Sequence, residues 1–86
     1  MNHYAQVEQT IKEVLAKQLS MDPAKIKPQA TLVEDLGLDS FGSVEVAFAL
    51  EEQFNLKIPD QDLYNAKTVK DIIDYIAEKT KNTSTP

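Results

Sequence analysis

The chain has 86 residues, 42% of them apolar, which is enough for one domain around one modest core and leaves no room for a second. It contains no cysteine, and this excludes disulfides, thiolate zinc sites and any thiol nucleophile of the protein's own. The net charge of −5 gathers in one block, because residues 34–62 hold Glu34, Asp35, Asp39, Glu45, Glu51, Glu52, Asp60 and Asp62 against Lys57 alone, while the stretches on either side are slightly basic. Such a block is either a solvated face or a field that repels nucleic-acid phosphates and anionic lipid and attracts proteins bearing Lys and Arg patches. The first residues show no apolar run suited to a signal peptide, and no stretch reaches the roughly 18 consecutive apolar residues of a membrane span. The expectation is a soluble cytoplasmic monomer with no membrane insertion and no nucleic-acid partner.

Tyr4, Val7, Ile11, Val14, Leu15 and Leu19 recur at helical spacing, which predicts an amphipathic helix over about 3–19. Residues 20–38 contain Pro23, Pro28 and Gly37 with scattered Ile26, Leu32, Val33 and Leu36, and read as a long loop pinned to the core by those apolar members. Loops beyond about 12–15 residues are uncommon in compact domains and are often functional. Inside it, Asp22-Pro23 fits an N-cap followed by a proline at the first helical position, enough for one short helical turn.

Asp39 or Ser40 then caps a second helix running to about Phe54. At about 100° per residue, Val46, Ala47, Leu50 and Phe54 fall on one side, the expected core face. Phe41, Glu45, Phe48 and Glu52 fall on the opposite side. Two phenylalanines among carboxylates suit a docking surface with an apolar centre and a charged rim, unless the third helix or the loop covers one of them.

Ile58-Pro59-Asp60 marks a break and a restart, predicting a short third helix near 60–65. Thr68-Val69-Lys70-Asp71 fits a capping box, behind which Val69, Ile72, Ile73, Ile76 and Ala77 keep helical spacing to about Lys79. No strand alternation or internal repeat is present. The expected fold class is all-α, a small four-helix bundle of three longer helices and one short helix with a long loop between the first two. The folded domain spans 1–79, followed by a mobile polar tail at 80–86.

Ser40 stands at the start of the second helix, where a serine is ordinarily an N-cap. A catalytic role would require a base, and the single histidine, His3, has nothing in the sequence to bring it beside Ser40. No catalytic residue and no metal ligand set is assigned.

The run Leu32-Val33-Glu34-Asp35-Leu36-Gly37-Leu38-Asp39-Ser40, followed by Val44-Glu45, Ala49-Leu50-Glu51-Glu52, Phe54 and Ile58-Pro59-Asp60, resembles the acyl carrier proteins of the discrete bacterial, fatty-acid-synthase type, in the same helix order over nearly the whole chain. The resemblance implies that a phosphopantetheinyl transferase moves 4′-phosphopantetheine from coenzyme A onto the Ser40 hydroxyl. The arm then supplies the thiol that the sequence lacks, carries acyl intermediates as thioesters and delivers them to fatty-acid or related biosynthetic enzymes, while the carrier itself catalyses nothing. Segment 1–79 is then the carrier domain. By the same resemblance Asp39, Glu45 and Glu52 meet basic patches on acyl-transferring and condensing enzymes, Phe41 stands where the family commonly has leucine, and Leu50, Ile58, Leu63 and Ala66 line a pocket for the acyl chain; the helical projection independently puts Phe41 and Phe48 on the same partner-binding face as Glu45 and Glu52. Gly42 departs from the pattern, standing where the family often has an acid, and Leu56-Lys57 replaces a more polar and acidic pair. These departures favour the alternatives of a specialised polyketide or aminoacyl/peptidyl carrier. Outside that class stands an unmodified carrier-like module that only docks a partner. Ser43, one turn into the helix, is a second and less suitable hydroxyl.

Overall fold

The computed structural model describes residues 3–83. Helix α1, His3–Leu19, buries Val7, Ile11 and Leu15 at every fourth position together with Ala16. Tyr4 heads the same stripe but stays exposed at 37%; its hydroxyl donates to Asp74 Oδ1 at 2.6 Å and so ties the start of α1 to the last helix. The helix stops where Ser20 takes a left-handed φ of 56° and the Met21 amide donates back to the Ala16 carbonyl.

The loop from 20 to 38 is held at several points. The Asp22 carboxylate accepts from the Ala24 amide at 2.9 Å, and Pro23 opens the 3₁₀ turn Pro23–Lys25. Thr31 and Asp35 then bond each other's amides reciprocally, at 2.9 and 3.0 Å. An isolated antiparallel bridge joins Thr31 to Thr68, flanked by the Leu32 amide donating to the Lys67 carbonyl and the Val69 amide donating to the Ala30 carbonyl. Ile26, Leu32 and Leu38 enter the core, and Leu36 is half-buried. Val33 corrects the expectation that it pins the loop: it stands at the crest of the Thr31–Asp35 turn and is 68% exposed.

Helix α2, Ser40–Phe54, ends at Asn55, whose φ of 52° and amide bond to the Glu51 carbonyl close the last turn. The short helix α3, Asp60–Asn65, follows Pro59 and has no side-chain cap. Helix α4, Val69–Thr83, starts at the capping box expected from the sequence. The Thr68 hydroxyl accepts from the Asp71 amide, and the Asp71 carboxylate accepts from the amides of both Lys67 and Thr68. The helix runs past Lys79 because Thr80 is buried, its hydroxyl donating to the Ile76 carbonyl at 2.7 Å. The rest of the expected tail, residues 84–86, lies outside the described residues.

The architecture is all-α, with α1 packed against both α2 and α4. Val46 and Leu50 of α2 meet Ile11 and Leu15 of α1 and Val69, Ile73 and Ile76 of α4 in a core where each of these side chains is fully buried. With no disulfide to assist, this apolar burial is the main driving force for the fold.

The Asp71 carboxyl is held below its ordinary value of 3.8, chiefly by the amides of Lys67 and Thr68. A carboxylate depressed in the folded state contributes stability above the unfolded value and loses it as the pH falls through the folded one. Asp71→Asn should therefore lower the melting temperature at neutral pH, and the gap to wild type should close in acid below that depressed value. Melting curves across that range check this, and a gap of constant size would show that the ionised cap contributes nothing.

Candidate functional site

Asp39, and not Ser40, is the N-cap of α2. Its backbone is extended and its Oδ1 accepts from the Gly42 amide at 2.7 Å, while its carbonyl accepts from the Ser43 amide at 2.8 Å. Ser40 is consequently the first residue inside the helix, exposed, and among the described residues its hydroxyl makes no hydrogen bond. The first amides of a helix have no intrahelical partner and give this end a partial positive charge, which suits an anionic group joined to the Ser40 oxygen. Gly37, at a φ of 71°, turns the chain just ahead of the site with open space around it. Ser43 is half-buried one turn further in. These features fit a phosphodiester at Ser40.

His3, the chain's one histidine, is engaged elsewhere, with Nε2 2.7 Å from the Thr80 hydroxyl on α4. Nothing in this arrangement activates Ser40 as a nucleophile of its own.

Along α2 the outer face is bare. Phe41 is 73% and Phe48 62% exposed, and Glu45 and Glu52 are exposed beside them, so neither α3 nor the loop covers either ring. Sequence reasoning missed Val44, which is also exposed and completes a stripe 41, 44, 48 at helical spacing. It also missed Tyr64 on α3, an exposed ring with no periodic signal in so short a helix.

A second feature lies between α2, α3 and α4. Leu50, Ile58, Leu63 and Ala66, named together from the sequence, line one small cavity of about 10 Å³, room for about one water. Ile72 and Ile76 of α4 complete its apolar wall, and their helical spacing was a signal that could have found them. Its polar members, Asp62 and Tyr75, had no such signal. The Tyr75 hydroxyl donates to Asp62 Oδ2 at 2.6 Å, and burial, with that bond and the nearby carboxylate charge, pushes the phenol up to about 12.

Comparison with known proteins points the same way. A family model described as a phosphopantetheine attachment site matches residues 9–76. The chain is 44% identical over 75 residues to an acyl carrier protein of Thermosynechococcus vestitus, covering 87% of this chain and 93% of that protein. It is 44% identical over 71 residues to one from Bdellovibrio bacteriovorus, covering 83% and 91% respectively. Among solved structures, the HMG-ACPI domain of the CurA module from Lyngbya majuscula superposes with a TM-score of 0.84 at 29% identity, over 95% of this chain and 82% of that one.

The capping assignment makes a testable distinction. Asp39→Ala should destabilise the fold by about 1 kcal/mol, the usual cost of losing an N-cap. Ser40→Ala, which loses no bond, should stay within about 0.5 kcal/mol of wild type. Urea unfolding of the two variants checks this, and equal losses would return part of the capping to Ser40.

Proposed function

The chain belongs to the acyl carrier proteins, a family that carries covalent 4′-phosphopantetheine and is not itself catalytic, and from this premise we propose that Ser40 is the attachment point. The observation that carries the assignment is the free, exposed hydroxyl at the first position of α2, left unbonded because Asp39 does the capping. The attached arm supplies a thiol that holds acyl groups as thioesters, on a chain that has no cysteine. Ser40 presents it, α2 sets its position, and the carrier hands its cargo to fatty-acid or related biosynthetic enzymes. Tethering raises the effective concentration of cargo at each docked active site. In this reading the chain works as a cytoplasmic, monomeric, non-enzymatic carrier.

Its partners in this reading are the phosphopantetheinyl transferase and the acyl-transferring and condensing enzymes. Phe41 and Phe48 give them an apolar contact, and Asp39, Glu45 and Glu52 steer their basic patches. Leu50, Ile58, Leu63 and Ala66 are assigned to the lining that receives the acyl chain. A cargo outside ordinary fatty-acid synthesis is the second reading. It is favoured by Gly42, which is buried against Asp39 and Leu38 and so leaves the first turn of α2 without a further acid.

Coexpression with a phosphopantetheinyl transferase should add the mass of one arm to the intact protein, mapped to Ser40 by peptide fragmentation. Ser40→Ala should remain unmodified while folding normally. Modification of that variant at another residue, or no mass gain in wild type, would overturn the assignment.

Reversing charge on the outer face tests the docking surface. Glu45→Lys with Glu52→Lys changes only exposed residues and should alter stability by no more than about 0.5 kcal/mol. The double variant should load more slowly than wild type at low salt, and the two rates should converge as ionic strength rises. Equal rates at low salt would make the acidic block a solvated face only.

A further inference from the structure

The cavity assigned to the acyl chain is narrow. At about 10 Å³ it cannot take a hydrocarbon chain without one of its walls moving. Leu50, Ile72 and Ile76 belong to long helices locked in the core, each no more than 4% exposed. Leu63 and Ala66, by contrast, are only partly buried and belong to α3 and its C-cap. That helix has six residues and no side-chain cap, too short to hold its shape without tertiary support. It is the wall with the least to hold it.

Both ends of the α3 segment are fastened. Before it, the Ile58 amide donates to Glu51 Oε2 at 2.7 Å, which anchors that end to α2. After it, the Lys67 amide donates to Asp71 Oδ2, and the Lys67 carbonyl accepts from the Leu32 amide, both at 2.9 Å. Between these two anchors the bond from the Tyr75 hydroxyl to Asp62 joins the middle of α3 to α4, and both residues line the cavity. A segment fixed at its ends and restrained at its centre opens by releasing the centre.

We propose that the Asp62–Tyr75 hydrogen bond is the latch of the acyl cavity, and that this bond has to break before an acyl chain is taken in. The proposal rests on the carrier reading above and assigns to residues 62 and 75 a part in deciding how readily cargo is sheltered. Cargo entry has to displace a phenol from a carboxylate in a partly desolvated position, so a chain too short to bury much apolar surface stays outside. Removing the latch lowers the length of chain that can enter.

Tyr75→Phe keeps the ring that lines the cavity and deletes only the hydroxyl, and Asp62→Ala removes the acceptor. Hydrogen exchange of the α3 amides should speed by about tenfold in either variant, the effect of losing one charge-assisted bond, with α1 amides unchanged. The double variant should be no faster than the singles, because one shared bond is lost in all three. The second measurement uses the protein loaded at Ser40 with saturated acyl groups of increasing length. A sheltered thioester resists hydroxylamine, so cleavage should slow at a shorter chain length in the variants than in wild type. Failure of wild type to accept an acylated arm at Ser40 would overturn the carrier reading and the latch with it. Normal loading with exchange rates and cleavage profiles the same in wild type and variants would overturn the latch alone, as would additive effects in the double variant.

Discussion

The bond from the Gly42 amide to the Asp39 carboxylate decides where α2 begins, and the arrangement of the site follows from that start. A helix beginning one residue later, with Ser40 as cap, would draw the serine hydroxyl into a bond with a first-turn amide. Asp39 takes that task and leaves Ser40 free. The cap is also braced from within. Leu38 is buried, and a Cβ placed on Gly42 would stand 3.2 Å from both Leu38 Cδ1 and Asp39 Oδ1. Glycine in a helix forfeits about 0.5–1 kcal/mol relative to alanine, and here that loss accompanies a carboxylate packed close over the helix end.

The same start sets which side chains face which way for the next four turns. Val46 and Leu50 turn inward to α1 and α4, and Phe41, Val44 and Phe48 turn out. A helix apolar on two sides would ordinarily be buried on both. In this chain the second side remains uncovered among the described residues. Burying one large apolar side chain is worth about 1.5–3 kcal/mol, so the outer stripe holds association energy that folding leaves unused. In the proposed docking role, Glu45 and Glu52 beside it would contribute less to affinity than to the rate and orientation of approach.

Signals confined to a few neighbouring residues were legible in the sequence. The stripe Val7, Ile11, Leu15, the Asp22-Pro23 turn, the two faces of α2 and the Thr68–Asp71 capping box each declare themselves within one or two turns of chain. What depended on distant partners was not legible. Either Asp39 or Ser40 could cap by its residue type, and only the three-dimensional bond from the Gly42 amide to Asp39 distinguishes them. Thr80 reads as the start of a polar tail, yet its hydroxyl is satisfied within its own helix, so the bundle can bury it without penalty. Tyr4 lies on the apolar stripe, but a phenol can reach outward to Asp74 while its ring stays at the rim. The four apolar residues named for the pocket do share a cavity, whereas the Asp62–Tyr75 pair within it, 13 residues apart on different helices, carries no periodicity at all.

If the proposed role of that cavity holds, it is how a small domain reconciles a full core with sheltering cargo. A standing void costs about 24 cal/mol for each Å³, and a domain of 86 residues has little stability to spare. Keeping the space small, at about 10 Å³, leaves Leu50, Ile58 and Ile76 buried in the core when no cargo is present. The space then has to be made on demand, and the cost falls on the element with the fewest buried contacts to lose. Helix α3 meets that condition, with six residues, few buried side chains and four polar attachments along its segment, and its displacement would leave α1 and α4 packed. Segregating the yielding element from the load-carrying helices lets the chain admit a guest without beginning to unfold.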